Sequence, residues 1–197
     1  MIRSSCLILL LCLNLSFGQN DLGIVKDINE FNNIKSQSIY CEVNHIPQYS
    51  NLCVGASAQM VLAYYGENID QKDIKRHADG INYKDNDKRL YKAIFFIKLI
   101  KALKDFGIQW EEESYPMYSG DQGLDFIINE IRNKRPVLID TTLYRGHTVV
   151  VNGYCENKKL FIITDPNIKS PGIRIISYQN LRRIWNSGGR DRCLVKT

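Results

Sequence analysis

The feature that most constrains this chain is a change of hydrophobic period near Gly107. Before it, apolar residues recur at helical spacing. Val54, Ala58, Val61, Leu62 and Tyr65 fall at i, i+4, i+7, i+8 and i+11, and Gly66 stops the run. Residues 70–77 read as a short second helix. Residues 87–106 read as a long third, with Tyr91, Phe95, Leu99 and Leu103 on one face and Gly107 where a helix-ending glycine belongs. Beyond Gly107, residues 108–114 are strand-like and residues 123–133 form an amphipathic helix. Three near-continuous apolar runs follow, 137–143, 148–154 and 160–164, with the pattern of buried strands. Residues 172–176 add a fourth strand, 177–185 a short helix and 193–196 a terminal strand. Helices gather in the first half and strands in the second, which predicts an α+β fold rather than an alternating parallel one.

The first 18 residues, MIRSSCLILLLCLNLSFG, set one positive charge (Arg3) before an apolar core and close on small residues. That layout predicts a secretory signal peptide cut near Gly18–Gln19, with a core too short to span a bilayer. No other stretch approaches about 18 apolar residues, so the mature protein is expected to be free of the membrane, secreted or periplasmic. Residues 19–37 are polar and Asn-rich and read as a loose lead-in to one domain over 38–197. Loss of the signal leaves Cys41, Cys53, Cys155 and Cys193. An oxidising compartment permits bridges among them, and spacing alone leaves the pairing open. Cys53 is expected as a free thiol, with Cys41–Cys193 the favoured bridge because both sit in short strand-like runs flanking the core.

The net charge of +5 comes from 26 basic and 21 acidic residues scattered among one another. A nucleic-acid surface would concentrate basic charge with interleaved aromatics, so no nucleic-acid partner is expected. His45 and Cys41 give C-x3-H, but no second ligand pair with zinc-like spacing follows, so no metal site is expected. No phosphate-cradling glycine loop is present. His77, beside Arg76, reads as a surface residue. Glu111-Glu112-Glu113 reads as an exposed strand face that could also attract a basic substrate.

Three places can carry chemistry. Gln48-Tyr49-Ser50-Asn51-Leu52-Cys53 stands directly before the first strong helix. With Asn51 as N-cap, Cys53 falls in the first helical turn, where the dipole and open N–H groups favour a thiolate. Those N–H groups and the Gln48 amide could also hold an oxyanion. Gly146-His147 opens an apolar strand, a rigid and half-solvated place for a general base. Asp165-Pro166 closes the next strand. A hairpin turning around 153–158 would bring Asp165 beside His147 to orient the imidazole. Each residue also has an ordinary structural reading: a buried thiol or half-bridge, a strand-end histidine, a turn-starting aspartate.

In order and context these segments resemble the papain-like cysteine peptidases, in particular the compact branch of bacteriocin-leader-processing peptidases and secreted bacterial papain-like effectors. The carrying stretches are IPQYSNLCVGASAQMVLAYYG, KRPVLID, GHTVVVNGY and FIITDPN, spanning about residues 46–167. The resemblance implies a helical half carrying Cys53 packed on an antiparallel sheet carrying His147 and Asp165. It implies Cys53 as nucleophile, His147 as base, Asp165 as its orienting partner and Gln48 as oxyanion donor. A monomer acting on a peptide or protein, without cofactor, is expected. The alternatives are an acyltransferase or amidase using the same triad, or a degenerate peptide-binding module. Two departures stand out. Val54 follows the cysteine where relatives often have Gly or Trp, and Gln48 lies five rather than six positions before it.

Overall fold

The computed structural model describes residues 21–116, 121–185 and 190–196, so the expected signal peptide lies outside the described residues. In chain order the elements are α1 (Ile28–Lys35), β1 (Ile39–Tyr40), α2 (Cys53–Tyr64), α3 (Gln71–Asp79), α4 (Phe96–Asp105), β2 (Trp110–Pro116), α5 (Gln122–Arg132), β3 (Val137–Thr141), β4 (His147–Cys155), β5 (Leu160–Thr164), β6 (Ile173–Ser177), α6 (Tyr178–Ile184) and β7 (Arg190–Lys196).

The apolar runs pair antiparallel into one seven-stranded sheet, in the order β2-β7-β3-β4-β5-β6, with the short β1 also on β4. All nine residues of β4 are buried, which is why its sequence is apolar without alternation. The fold is α+β, with the helical half against this sheet. Helix α2 is apolar on every side and buries Val54, Ala58, Met60, Val61 and Leu62, as a helix enclosed by a core must. Its Ser57 hydroxyl donates to the Thr148 carbonyl of β4 at 3.0 Å, both groups buried. That bond ties the helix that begins at Cys53 to the strand that begins at His147.

Four expectations need correction. Residues 19–37 are not a loose lead-in throughout: Asp27 caps α1, and Phe31 and Ile34 bury against Cys155, Ile162 and Ile173. An N-cap and two apolar residues three apart are enough once the face of three neighbouring strands offers somewhere to bury them. Nor is 87–106 one helix. It divides into a 3₁₀ turn, Lys88–Tyr91, and α4, because Lys92 and Phe95 are extended. At this junction Ile94 and Phe96 are buried while Phe95 is 69% exposed, an alternation no helix provides. Asn51 is not the N-cap; Leu52 holds that position, buried, with no side-chain cap bond.

The fourth correction concerns the expected Cys41–Cys193 bridge, which is not formed; all four cysteines of the described residues are free. The Cys41 N–H donates to the Asn152 carbonyl of β4, whereas Cys193 sits on β7 opposite Ile139, which in turn pairs with Val149. The two are offset by one strand and three residues, roughly 10 Å along the sheet. A disulfide needs Cα atoms within about 7 Å.

Candidate active site

The nucleophile candidate is placed by its loop. Gln71 of α3 reaches across to residues 47–52: its Oε1 accepts from the Tyr49 N–H at 2.9 Å, and its Nε2 donates to the Pro47 carbonyl at 3.1 Å. The Gln48 N–H donates to the Pro166 carbonyl at 2.9 Å, fastening the same loop to the residue after Asp165. Ser50 turns the chain with φ 51, and α2 starts at Cys53. As the first helical residue, Cys53 carries an N–H with no carbonyl to meet inside the helix.

His147 and Asp165 are brought together by the β4–β5 hairpin, which sets the start of one strand beside the end of the other. His147 Nε2 lies 2.7 Å from Asp165 Oδ1, and both side chains are buried. An ionised carboxylate only accepts, so Nε2 carries the proton. The other ring nitrogen is then the one in the side-chain hydrogen bond with Cys53. Tyr144 stands edge-on to the imidazole, with centroids 5.1 Å apart.

The charges follow from this geometry. Burial alone would push the Cys53 thiol up, but the hydrogen bond and charge of His147 outweigh it, aided by the backbone N–H groups of Thr148 and Val54. The thiol therefore ionises below its ordinary range. Burial would lower His147, yet its bonds to Asp165 and Cys53 raise it to about 9. Burial opposes ionisation of Asp165 too; the bond and charge of His147, the Arg174 charge and the Asn167 N–H hold it below the usual carboxylate range. A thiolate beside an imidazolium is the form this arrangement favours.

Arg174 is a residue of this site that the sequence reading did not single out. It is fully buried, donates Nε to Asp165 Oδ2 at 2.6 Å and Nη2 to the Tyr144 hydroxyl at 2.9 Å. A single charge inside the apolar run Ile173-Arg174-Ile175-Ile176 was the available signal. His45 presents its Nε2 to the Asp165 carbonyl at 3.1 Å. Gln48 departs from expectation. Its side-chain amide donates to the Ser50 carbonyl of its own loop rather than toward Cys53.

Cys53 and His147 open onto a cleft of about 700 Å³, lined by Ile94, Phe95 and Phe96 before and at the start of α4 and by Glu112, Asp140 and Arg192 of the sheet. Glu112 is therefore not simply an exposed face; it pairs with Arg192 at 2.5 Å. Asp140 accepts from the Thr148 hydroxyl at 2.5 Å. The broken third helix turns out to be a cleft wall.

Fold and family together define a papain-like cysteine-type peptidase. The chain belongs to the Peptidase_C39 like family, whose model matches residues 40–192. Among solved structures it is similar to a double glycine motif protease from an AMS/PCAT transporter, solved in complex with its leader peptide. That pair shares 23% identity over 80% of this chain and 93% of the other, with a TM-score of 0.54. The peptidase domain of Streptococcus ComA shares 15% identity over 79% and 98%, with a TM-score of 0.59. Xylellain, a cysteine protease from Xylella fastidiosa, shares 11% over 91% and 96%, with a TM-score of 0.52. No curated protein matches the chain by sequence.

Proposed function

We propose that the protein is an exported peptidase that hydrolyses peptide bonds through Cys53, His147 and Asp165. The observation that carries this reading is the continuous contact from Cys53 through His147 to Asp165, with the sulfur at a helix start and facing a cleft. The Cys53 thiolate attacks the substrate carbonyl carbon, and the C=O electron pair moves to oxygen. The open N–H of Cys53 at the head of α2 is the donor placed to meet that oxyanion. His147 gives its proton to the leaving amine as the C–N bond breaks, leaving a thioester on Cys53. Water then attacks the thioester, His147 takes a water proton, and the C–S bond breaks to restore the thiolate and release a carboxylic acid.

A peptide substrate agrees with a cleft that pairs an exposed Phe95 with polar groups of the sheet, and one structural neighbour was solved with a leader peptide bound. Export rests on the sequence of residues 1–18. The test is to incubate purified mature protein with a diverse peptide library, beside Cys53→Ala. Cleavage by wild type alone supports the reading, whereas equal or absent cleavage in both refutes it.

A further inference from the structure

Resting on that peptidase reading, we propose that residues 21–25 act as a strap that completes the active site by fixing Arg174, and that Arg174 is a positioning residue for Asp165. The strap runs antiparallel beside β6, with Ile24 opposite Arg174. The Val25 N–H donates to the Ile173 carbonyl at 3.0 Å, and the Ile175 N–H donates to the Gly23 carbonyl at 2.8 Å. One residue before them along the strap, the Leu22 carbonyl accepts Arg174 Nη1 at 2.8 Å. The guanidinium is thus held at three corners, by Leu22, by the Tyr144 hydroxyl and by Asp165 Oδ2. The contacts form one chain: Leu22, Arg174, Asp165, His147, Cys53.

The chain matters because Arg174 has no water to fall back on. A buried guanidinium that loses an acceptor carries the full cost of an unsatisfied charged donor. It regains a partner only by turning, and turning draws Asp165 Oδ2 with it. Asp165 Oδ1 then leaves the line that holds the imidazole. Leu22 packs on the main core and Val25 on the smaller cluster around Ile162 and Ile173, so the strap has its own anchors. Its seat admits only glycine at position 23. With φ at +69, a Cβ there would stand 2.3 Å from the Ile175 carbonyl oxygen.

Gly23→Ala in the full chain therefore lifts the strap without touching a side chain of the site. Iodoacetamide is the probe. At pH 6, where only the ion pair supplies thiolate, alkylation of Cys53 is expected to slow about tenfold relative to wild type. At pH 10, where any accessible thiol ionises, the two rates should converge. In an Arg174→Gln background, Gly23→Ala should add nothing further, since the strap acts through that guanidinium. Val25→Pro, which removes the N–H given to Ile173, supplies the same comparison if Gly23→Ala does not fold. A folded strap variant alkylated as fast as wild type at pH 6, or one whose effect multiplies with that of Arg174→Gln, overturns the proposal. A wild type with no excess reactivity at pH 6 instead overturns the peptidase reading beneath it.

Discussion

His147 commits its Nε2 to Asp165 at 2.7 Å and so turns its other ring nitrogen to Cys53. The pair converts two weak sequence signals into one device, because neither group reaches its charged form in a buried site alone.

The pH dependence of peptide cleavage follows from the two shifts. The ion pair exists above the lowered Cys53 value and below the raised His147 value of about 9. Activity should rise with pH as the thiol ionises, hold across neutrality, and fall as pH passes through about 9 and His147 loses its proton. A pH–rate profile of kcat/KM whose basic limb sits near 6.5, the ordinary histidine value, would contradict this.

Asp165→Asn separates two roles of one carboxylate. The amide oxygen can still accept the His147 N–H, so Asn should retain more activity than Ala. The lost charge should move the basic limb to lower pH. The same substitution leaves the Arg174 guanidinium buried without its counter-charge, which typically costs about 3–5 kcal/mol of stability. Denaturant unfolding of Asp165→Asn beside Asp165→Asn/Arg174→Gln checks that part, with the double variant expected to recover stability.

The free cysteines make a chemical prediction. Cys41, Cys155 and Cys193 are buried thiols, and burial pushes Cys41 and Cys193 up, so native protein should take up one alkyl group, at Cys53. Peptide mapping locates the label. Dithiothreitol should leave the unfolding midpoint unchanged, whereas a drop of several degrees would reveal a structural bridge.

Gln71→Ala should reveal how the loop before Cys53 is held. It removes the acceptor of the Tyr49 N–H and the donor to the Pro47 carbonyl, at a cost of about 1–3 kcal/mol. The expected kinetic signature is a lower kcat with KM little changed, since the nucleophile is displaced while the cleft wall before α4 stays. A fall in stability with kcat intact would confine Gln71 to the fold.

Much of this arrangement is legible in the sequence. Helix α2, the paired apolar runs and the hairpin that sets Asp165 beside His147 follow from period and order, because buried elements leave dense apolar patterns. What was not legible depends on partners distant in sequence. Lys92 and Phe95 are extended within a stretch of helical spacing, because burying Ile94 and Phe96 in the core outweighs propensity. Arg174 reads as one charge in a strand until Asp165 and Leu22, 9 and 152 residues away, are seen around it. Gln48 reads as an oxyanion donor from the resemblance, although its spacing differs by one residue; its amide instead donates to the Ser50 carbonyl, a local bond that the sequence does not announce.

The Cys53–His147 ion pair is tested most directly by the rate of Cys53 alkylation by iodoacetamide as a function of pH, in wild type and in His147→Ala. Wild-type Cys53 should react well below pH 8.5, the ordinary thiol value, and Cys53 of His147→Ala only as a thiol without an ion-pair partner does. Superimposable profiles for the two proteins would contradict it.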